Sequence, residues 1–369
     1  MTEITRSNQF AFDLYDHLIG NINGDIVISP VFLKAVLIPV YAGLRGYGRK
    51  EMSEILNIGE KNHIDIIDEF RLFEKNLQWE INSGLNVFEG IWIQESKERL
   101  AKTYYDILRK FPEIHFVNFR NNWGEIEVEI NRAVKIATND GIKDIILARE
   151  ISASTKITVI NANYFKGLWE KSFDRDLTEM EEWKMGSHYH SKAIYMMHGV
   201  GSYGYFEDKK IRAIKIPYMS QRLSMLILSP VGGNYSDFEF MERNLKEHDF
   251  DKIIRKTKTR ELQLAMPKFA INCRRNLQSV LRAMGVKDAT SPYKANFSGI
   301  ANGNLYLSDI IQSCRILINE EGNKNTESQE IKNKKLLEIK LNRPFIFFIV
   351  HNPSKTIIFM GRVIWPEWK

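Results

Sequence analysis

Apolar residues recur every three or four positions through the first third of the chain, which is the spacing of amphipathic helices. A proline at position 39 lies inside the second such segment. Because a proline within a helix removes one hydrogen bond and costs about 3 kcal/mol or kinks the helix, we expect that helix to be bent or to begin later. The predicted helices are Asn8 to Ile19, Val31 to Leu44, Lys50 to Leu56 and Asp65 to Trp79.

From Thr155 onward the pattern changes to β-branched and aromatic runs bounded by turn residues, which is typical of strands. No internal repeat and no Pro/Gly/Ser linker divides residues 1–369, so we predict one mixed α+β domain with antiparallel sheets. The predicted strands are Thr155 to Phe165, Ile211 to Tyr218, Leu223 to Leu228, Glu261 to Ile271, Leu305 to Ile318, Phe345 to His351 and Lys355 to Val363, and the helices are Glu125 to Asn139, Tyr235 to Leu245 and Asn276 to Met284.

One long polar segment interrupts this pattern. Between Asn319 and Lys335 the only apolar side chain is that of Ile331. Such a segment cannot bury enough apolar surface to order itself in a core, so residues 320–337 are predicted to form an exposed, protease-sensitive loop between two strands. A structureless loop of this length inside a compact domain usually has a function or is evidence of a lost one.

Composition narrows the class of protein. Hydrophobic residues make up 44% and aromatic residues 11% of the 369 positions, enough for a packed core. The net charge of +6 comes from 52 basic residues dispersed among 46 acidic ones, so no nucleic-acid role is indicated. Two cysteines, Cys273 and Cys314, are too few for a disulfide framework.

Residues 1–20 show no apolar signal-peptide core, and no stretch approaches eighteen consecutive apolar residues. We therefore predict a cytoplasmic, monomeric protein without a membrane partner, and unconventional secretion remains an open alternative. Abundant Ile, Asn and Lys favour an AT-rich coding source, such as a parasite or a large DNA virus that uses the protein as an immune modulator.

The candidate chemistry outside the loop is weak. His188, His190 and His198 could supply metal ligands, but no cysteine or paired carboxylate completes the set in the sequence, so surface histidines are the preferred interpretation. The basic run Arg255 to Arg260 is more consistent with a solvated turn than with a site for a heparin-like polyanion. No catalytic motif occurs, and we predict no enzyme activity, no metal and no cofactor.

Other motifs follow one another in a characteristic order. The most specific is Ile160-Asn161-Ala-Asn-Tyr-Phe165-Lys166-Gly167-Leu-Trp169, followed by Phe173 and Thr178. The others are Asp25-Ile-Val-Ile-Ser29-Pro30, Tyr41-Ala-Gly43-Leu-Arg-Gly46, Met196-Met197, Ile216-Pro217-Tyr218, Met266-Pro267-Lys268-Phe269, Gly285-Val-Lys-Asp288-Ala289, Asn296-Phe297-Ser298-Gly299-Ile300, Ile318-Asn-Glu-Glu-Gly322, Arg343-Pro-Phe-Ile-Phe-Phe348 and Phe359-Met-Gly-Arg362. Together they resemble the serpins, the serine protease inhibitor superfamily, and the start Phe10-Ala-Phe-Asp-Leu14 is similar to the leaderless ovalbumin-like branch.

The resemblance implies a fold of three β-sheets and about nine helices with a reactive loop above the main sheet. In inhibitory members a serine protease cuts this loop, which then inserts into the sheet as a new strand and distorts the acyl-enzyme. The implied hinge is Glu320, Glu321, Gly322, Asn323, Lys324, Asn325, Thr326, Glu327, Ser328 and Gln329; the candidate scissile region is Asn333, Lys334, Lys335, Leu336 and Leu337; and the implied shutter and breach residues beneath the sheet are Ser29, Phe32, Asn161, Trp169 and Gln312.

The scissile bond stays ambiguous at this point. Counting from Gly322 places the cut after Leu336, whereas counting back from Pro344 places it after Asn333, and lysines lie between. The cluster Lys332-Asn-Lys-Lys335 is either bait for a trypsin-like protease, since a cationic side chain fits an anionic specificity pocket, or a solvated charge run.

Side chains of a strand alternate between its two faces, so insertion would bury one parity of the hinge. Inhibitory serpins place small residues such as Thr and Ala at those positions. Here the inward row is entirely polar, and burying an amide without a partner costs roughly 1–3 kcal/mol, with a carboxylate costing more. The inward row is Asn323, Asn325, Glu327 and Gln329, and the outward row is Lys324, Thr326, Ser328 and Glu330.

Four further departures agree with this. The loop is a few residues shorter than in inhibitory serpins, Phe32 stands where a serine is usual, and Gln312 stands where a histidine is usual; Glu89 also replaces an asparagine. We therefore expect a serpin-family protein whose suicide inhibition is weak or lost, acting as a binding protein or substrate decoy. The alternative is a working covalent inhibitor of a trypsin-like or other serine or cysteine protease.

Overall fold

The fold is built from nine α-helices and fourteen strands in the part of the chain that the computed structural model describes, namely residues 8–20, 22–59, 63–81, 84–96, 100–111, 113–185, 191–323 and 336–368. The helices are α1 Gln9–Ile19, α2 Pro30–Gly43, α3 Gly46–Leu56, α4 His63–Ile81, α5 Tyr104–Lys110, α6 Phe119–Ala137, α7 Tyr235–Asn244, α8 Glu247–Lys256 and α9 Gln278–Met284. The strands are β1 Ile26–Ile28, β2 Leu85–Gln94, β3 Ile114–Val117, β4 Ile157–Phe165, β5 Glu179–Trp183, β6 Lys192–Glu207, β7 Ile211–Pro217, β8 Leu223–Pro230, β9 Lys258–Pro267, β10 Phe269–Asn276, β11 Leu307–Ile318, β12 Leu337–Lys340, β13 Phe345–His351 and β14 Thr356–Val363.

One sheet has five strands, in the order β10-β11-β4-β2-β3. One face packs on the main core, to which Val159 and Ile316 belong. The other face is covered by α6, because Ile126 and Ile130 of that helix form a second cluster with Ile160 of β4 and further apolar side chains of the sheet. The middle strands are therefore buried on both sides.

The second sheet has nine strands, in the order β1-β14-β13-β8-β7-β6-β9-β12 with β5 added beside β6. The predicted α+β class and the predicted helix number are confirmed. Two of the three predicted sheets share the strand β6, so the described strands form two hydrogen-bonded sheets. Strand β6 is 16 residues long, and it pairs with β9 along most of its length and with β7 at Gly204 to Glu207.

Strand directions also correct the expectation of antiparallel sheets. Three pairs are parallel, namely β4 with β11, β2 with β3, and β9 with β12. The run Glu261 to Ile271 is divided at Lys268 into β9 and β10, which lie in different sheets. The two strands β2 and β3 occupy part of the region that was expected to be helical.

Helix α2 begins at Pro30, earlier than predicted, and continues through Pro39. A proline in the first turn costs no hydrogen bond. All residues of α2 are buried, so apolar packing outweighs the penalty of the internal proline. Among the described residues no helix is both long enough and apolar enough to cross a bilayer.

Candidate functional site

The start of the polar loop is docked onto the body of the protein rather than free. Beyond Ile318 the chain continues beside the segment 169–173 through three backbone hydrogen bonds. The amide of Trp169 donates to the carbonyl of Glu321 at 3.0 Å, the amide of Phe173 to that of Glu320 at 3.0 Å, and the amide of Asn323 to the carbonyl of Trp169 at 3.0 Å. We call this contact the hinge anchor.

Trp169 holds the hinge anchor in place. Its indole Nε1–H donates to the carbonyl of Asn319 at 2.7 Å, and its ring stacks on Tyr218 with centroids 4.5 Å apart. Only 1% of Trp169 is exposed. The resemblance implies a breach role for this tryptophan, and in the structure it contacts the segment that carries the predicted hinge.

Two acidic side chains reinforce the anchor. Glu320 Oε2 lies 3.0 Å from Lys268 Nζ, and Glu320 Oε1 accepts a hydrogen bond from Thr178 Oγ1 at 3.1 Å. Burial by itself would raise the pKa of Glu320, but hydrogen bonds from its own backbone amide, from Lys268 and from Thr178 lower the pKa below its ordinary value. Glu320 is therefore a charged link between the hinge and two distant segments.

Glu321 makes a second link. Its carboxylate lies 2.8 Å from Lys166 Nζ and 3.3 Å from Arg175 Nη2. The hydrogen bond from Lys166 is the main cause of the lowered pKa of Glu321, and the positive charge of Arg175 adds to it. This pair is partly solvated, so its energetic contribution is small compared with that of Glu320.

Gly322 is required by the closeness of the backbone around it. A Cβ at this position would lie 2.7 Å from the carbonyl oxygen of Trp169 and 2.8 Å from backbone atoms of Ser172. Every other residue type would force the hinge away from the segment it is docked on.

The predicted loop 320–337 was too long at both ends. Glu320 is 4% exposed, so it belongs to the body of the protein. Leu337 begins β12, paired with Leu262 of β9, so it is a strand residue rather than part of an open scissile region. Residues 324–335, which include most of the inward row and Asn333, Lys334 and Lys335, lie outside the described residues.

The sheet that a cut loop would enter is closed. Strands β4 and β11 pair directly from Ile157 opposite Leu307 to Phe165 opposite Ile316, and we call this paired region the seam. Between the terminal pair Ile157 and Leu307 and the hinge, its core face presents four pairs of side chains, every one at most 3% exposed. From the hinge end downward they are Phe165 and Ile316, Asn163 and Cys314, Asn161 and Gln312, and Val159 and Ile310.

Amides bridge the middle of the seam. Gln312 Nε2 donates to Asn161 Oδ1 at 2.7 Å and to the carbonyl of Ser29 at 2.9 Å. The backbone amide of Ser29 donates in turn to Gln312 Oε1 at 3.2 Å, and the Ser29 hydroxyl donates to the carbonyl of Ile358 at 2.7 Å. The structure thus brings together three of the residues that the resemblance assigned to the shutter. Phe32, the fourth, is buried one turn further along α2.

Two buried groups near the shutter were not singled out as site residues. Asn163 Nδ2 donates to Asn161 Oδ1 at 2.7 Å, but Asn163 Oδ1 has no hydrogen-bond partner among the described residues. Glu89 lies opposite Asn161 in the next strand, 3.7 Å from Nη1 of Arg71. The sequence shows both residues but gives no sign of which neighbours they meet.

The far end of the loop returns to the body through β12. Lys340 of β12 forms an ion pair with Glu181 of β5. Glu181 also contacts His198, with Oε1 and Nε2 2.7 Å apart, and Glu179 Oε1 lies 3.8 Å from the same nitrogen. The expectation that no paired carboxylate accompanies these histidines is wrong for His198, because the two glutamates come from the neighbouring strand; His188 and His190 lie outside the described residues.

The basic run Arg255 to Arg260 spans the end of α8 and the start of β9. Two of its cations lie over aromatic rings, Lys256 over Phe206 at 5.7 Å and Arg260 over Tyr205 at 5.7 Å. These contacts are consistent with a solvated surface segment that covers apolar rings.

Comparison with known proteins agrees with this geometry. The family model described as Serpin (serine protease inhibitor) matches residues 5–366. The chain belongs to the serpin family. An uncharacterized serpin-like protein of Thermococcus kodakarensis is 32% identical over 98% of this chain and 85% of its own length. Ovalbumin-related protein Y of Gallus gallus is 29% identical over 98% of this chain and 99% of its own.

The fold is that of solved serpins. A structure of a tumour suppressing serpin matches with a TM-score of 0.89 over 99% of this chain and all of that one, at 23% sequence identity. The predicted resemblance to the serpins and to their ovalbumin-like branch is thereby confirmed.

Proposed function

We propose that this serpin presents its loop to a serine or cysteine protease but inserts the cut loop poorly, so that it acts as a binding protein or cleavable decoy rather than an efficient suicide inhibitor. The observation that supports this is the mismatch between the inward row and the core face of the seam. Three amides and the carboxylate of Glu327 would enter a face whose eight side chains carry no positive charge.

The desolvation cost of this mismatch decides whether insertion of the cut loop is favourable. Each amide buried without a partner costs roughly 1–3 kcal/mol, and a buried carboxylate without a cation costs more unless it is protonated. Three amides and one carboxylate therefore oppose insertion by several kcal/mol. The new strand's backbone hydrogen bonds contribute in the other direction, as in any serpin.

The hinge anchor adds a second barrier. Insertion starts at Gly322, so the backbone bonds from Trp169 and Phe173 to the hinge must break before the seam can open from that end. Glu320 must also leave Lys268 and Thr178, or carry its charge with it, as β11 moves away. These contacts slow the first step of insertion.

One observation favours the second candidate, a working covalent inhibitor. The Oδ1 atom of Asn163 is buried beneath the seam without a partner among the described residues. An inserted amide from the inward row could donate to it, which would offset one of the desolvation penalties. In that case the bait is the scissile region between Asn333 and Leu336, with a lysine before the cut for a trypsin-like protease.

Trypsin digestion separates the two candidates. The full chain is treated with substoichiometric trypsin, and covalent adducts are sought on a denaturing gel while thermal unfolding is followed before and after cleavage. We expect cleavage in 324–336, no adduct and an unchanged melting temperature. An adduct together with a rise of tens of degrees in melting temperature would overturn the proposal in favour of the working inhibitor.

A pair of matched variants tests the cause. Replacing the inward row by Thr, Ala, Ala and Thr should let the cut loop insert, so the melting temperature should rise after cleavage. Replacing the outward row by alanines should leave the response to cleavage as in the wild type. Equal behaviour of the two variants would show that hinge polarity is not the obstacle.

Three narrower proposals accompany this function. The protein is a cytoplasmic monomer, it comes from a parasite or a large DNA virus with an AT-rich genome, and the segment Arg255 to Arg260 is a solvated surface rather than a site for a heparin-like polyanion. Sedimentation at micromolar concentration tests the monomer. Retention on a heparin column above physiological salt would contradict the solvated surface.

A further inference from the structure

The hairpin formed by β5 and β6 brings three metal-ligating side chains to one face. Glu179 and Glu181 are two residues apart on β5, opposite Met196 and Ile194, and His198 lies two residues beyond Met196 on β6. Residues two apart on a strand, and residues paired across strands, share a face. One carboxylate oxygen from each glutamate and one imidazole nitrogen lie within 4.8 Å of one another.

We infer that Glu179, Glu181 and His198 form a site for a divalent transition-metal ion such as Zn²⁺, and that the bound ion competes with Lys340 for Glu181. The site is separate from the hinge and the seam. Its existence does not depend on the proposed function, whereas its effect on the loop does.

The separations suit such an ion. Zinc binds imidazole nitrogen and carboxylate oxygen at about 2.0–2.2 Å, most often in a tetrahedral arrangement, which sets neighbouring ligand atoms about 3.4 Å apart. The observed distances from His198 Nε2, 2.7 Å to Glu181 and 3.8 Å to Glu179, lie on either side of that value. Small side-chain rotations, with water as the fourth ligand, complete the coordination.

The types of ligand atom indicate which metal ions the site would prefer. Ca²⁺ and Mg²⁺ prefer sites made only of oxygen atoms, whereas an imidazole with carboxylates suits Zn²⁺, Cu²⁺ and Ni²⁺. The side chains of Glu181 and His198 are 12% and 20% exposed, and that of Glu179 is 72% exposed. The site is thus half-buried and can be reached from solvent.

Lys340 competes with a metal ion for the carboxylate of Glu181. Lys340 of β12 lies opposite Ala265 of β9, and Ala265 lies opposite His198 of β6. The three residues therefore share one face of the sheet, and the lysine side chain passes over the small side chain of Ala265 to reach Glu181. A divalent ion at Glu181 repels the nearby ammonium group. Metal binding therefore removes the ion pair that ties β12 to β5, and the same ion pair weakens metal binding by an equal amount.

Zinc titration of the metal-free full chain by calorimetry is the test. We expect one Zn²⁺ per chain in the wild type and at least a tenfold loss of affinity in His198→Gln. The control is His248→Gln, since His248 is an exposed histidine 3.5 Å from Asp249 that lacks the carboxylate pair. Equal losses in the two variants, or none in either, would overturn the site.

Lys340→Met gives the second measurement, which no unspecific surface binding would reproduce. Removing the competing ammonium should raise the zinc affinity about tenfold, and an unchanged or lower affinity would overturn the competition. Hydrogen exchange of β12 amides should accelerate on adding Zn²⁺ to the wild type and not to His198→Gln. Zinc binding without that acceleration would leave the metal site standing and overturn its coupling to β12.

Discussion

Thr178 and Glu181 are three residues apart, yet they hold opposite ends of the reactive loop. Thr178 donates to Glu320 at the hinge, and Glu181 forms an ion pair with Lys340 at the strand after the loop. The short segment from Thr178 to Glu181 thus contacts both the strand before the loop and the strand after it. A displacement of this segment would therefore change the contacts at both ends of the loop.

The first prediction concerns the close approach at Gly322. Gly322→Ala should lower the free energy of unfolding of the uncleaved protein by about 1–3 kcal/mol, because a new Cβ meets backbone atoms that cannot yield easily. Urea unfolding followed by tryptophan fluorescence measures it. Gly20→Ala is the matched control, since nothing lies within 4 Å of its Cβ position and its φ of −68° suits alanine. Equal stabilities of the two variants would contradict the close approach.

The second prediction concerns acid. The pKa of Glu320 is lowered in the folded protein, so its contribution to stability is present above the ordinary carboxyl range and is lost as the pH falls through the lowered value. The melting temperature of the wild type should therefore fall as the pH drops below the ordinary carboxyl range. Glu320→Gln should be less stable at pH 7 and show a smaller fall.

The control for the acid experiment is Glu338→Gln. Glu338 is exposed on β12, so this variant should follow the wild-type curve. If Glu320→Gln loses as much stability in acid as the wild type, the hinge carboxylate is not a source of the pH dependence.

The third prediction concerns the amide bridge across the seam. Gln312→Leu removes the bonds to Asn161 and Ser29 and leaves their buried polar atoms without partners, which should cost about 3 kcal/mol. Gln278→Leu removes one half-buried bond, to the carbonyl of Leu307, and should cost less than about 1 kcal/mol. Similar midpoints of urea unfolding for the two variants would rule out a special role for the bridge.

The fourth prediction concerns the two cysteines. Cys273 and Cys314 face each other across β10 and β11, both are free and both are buried, and burial raises the pKa of the Cys314 thiol well above its ordinary value. Neither thiol should react with a disulfide reagent within minutes in the native protein at pH 8. Two should react in denaturant, and rapid labelling of a native thiol would show that β10 opens locally.

The sequence predicted the strands with clear alternation or clear turn boundaries, including β13 to the residue. It did not predict β2, because that strand is buried on both faces from Phe88 onward and shows no alternation. It also missed β6, which contains Gly199, Gly201 and Gly204, residues that disfavour a strand. Propensity carries no information about the α6 packing or the neighbouring strands that make these segments ordered.

The site was predictable in the same uneven way. The order of motifs led to the predicted hinge and shutter residues, whereas the contacts that these residues make come from distant parts of the chain. Lys268 and Thr178 meet at Glu320 only because the residue between β9 and β10 and the residue before β5 both lie next to the end of β11. The glutamates beside His198 were overlooked for the same reason, since pairing between strands cannot be read from spacing within one strand.

Helix α6 gives the closed seam a lid on its outer side. Ile160 of β4 and Ile311 of β11 face each other directly, and both belong to the apolar cluster beneath α6. A strand entering between them must slide under this helix and strip apolar cover from the pair while it passes. Under the proposed function, entry of a cut loop into this sheet would therefore depend on a helix far from the loop in sequence, and substitutions on the inner face of α6 are expected to change the rate of insertion without altering the scissile region.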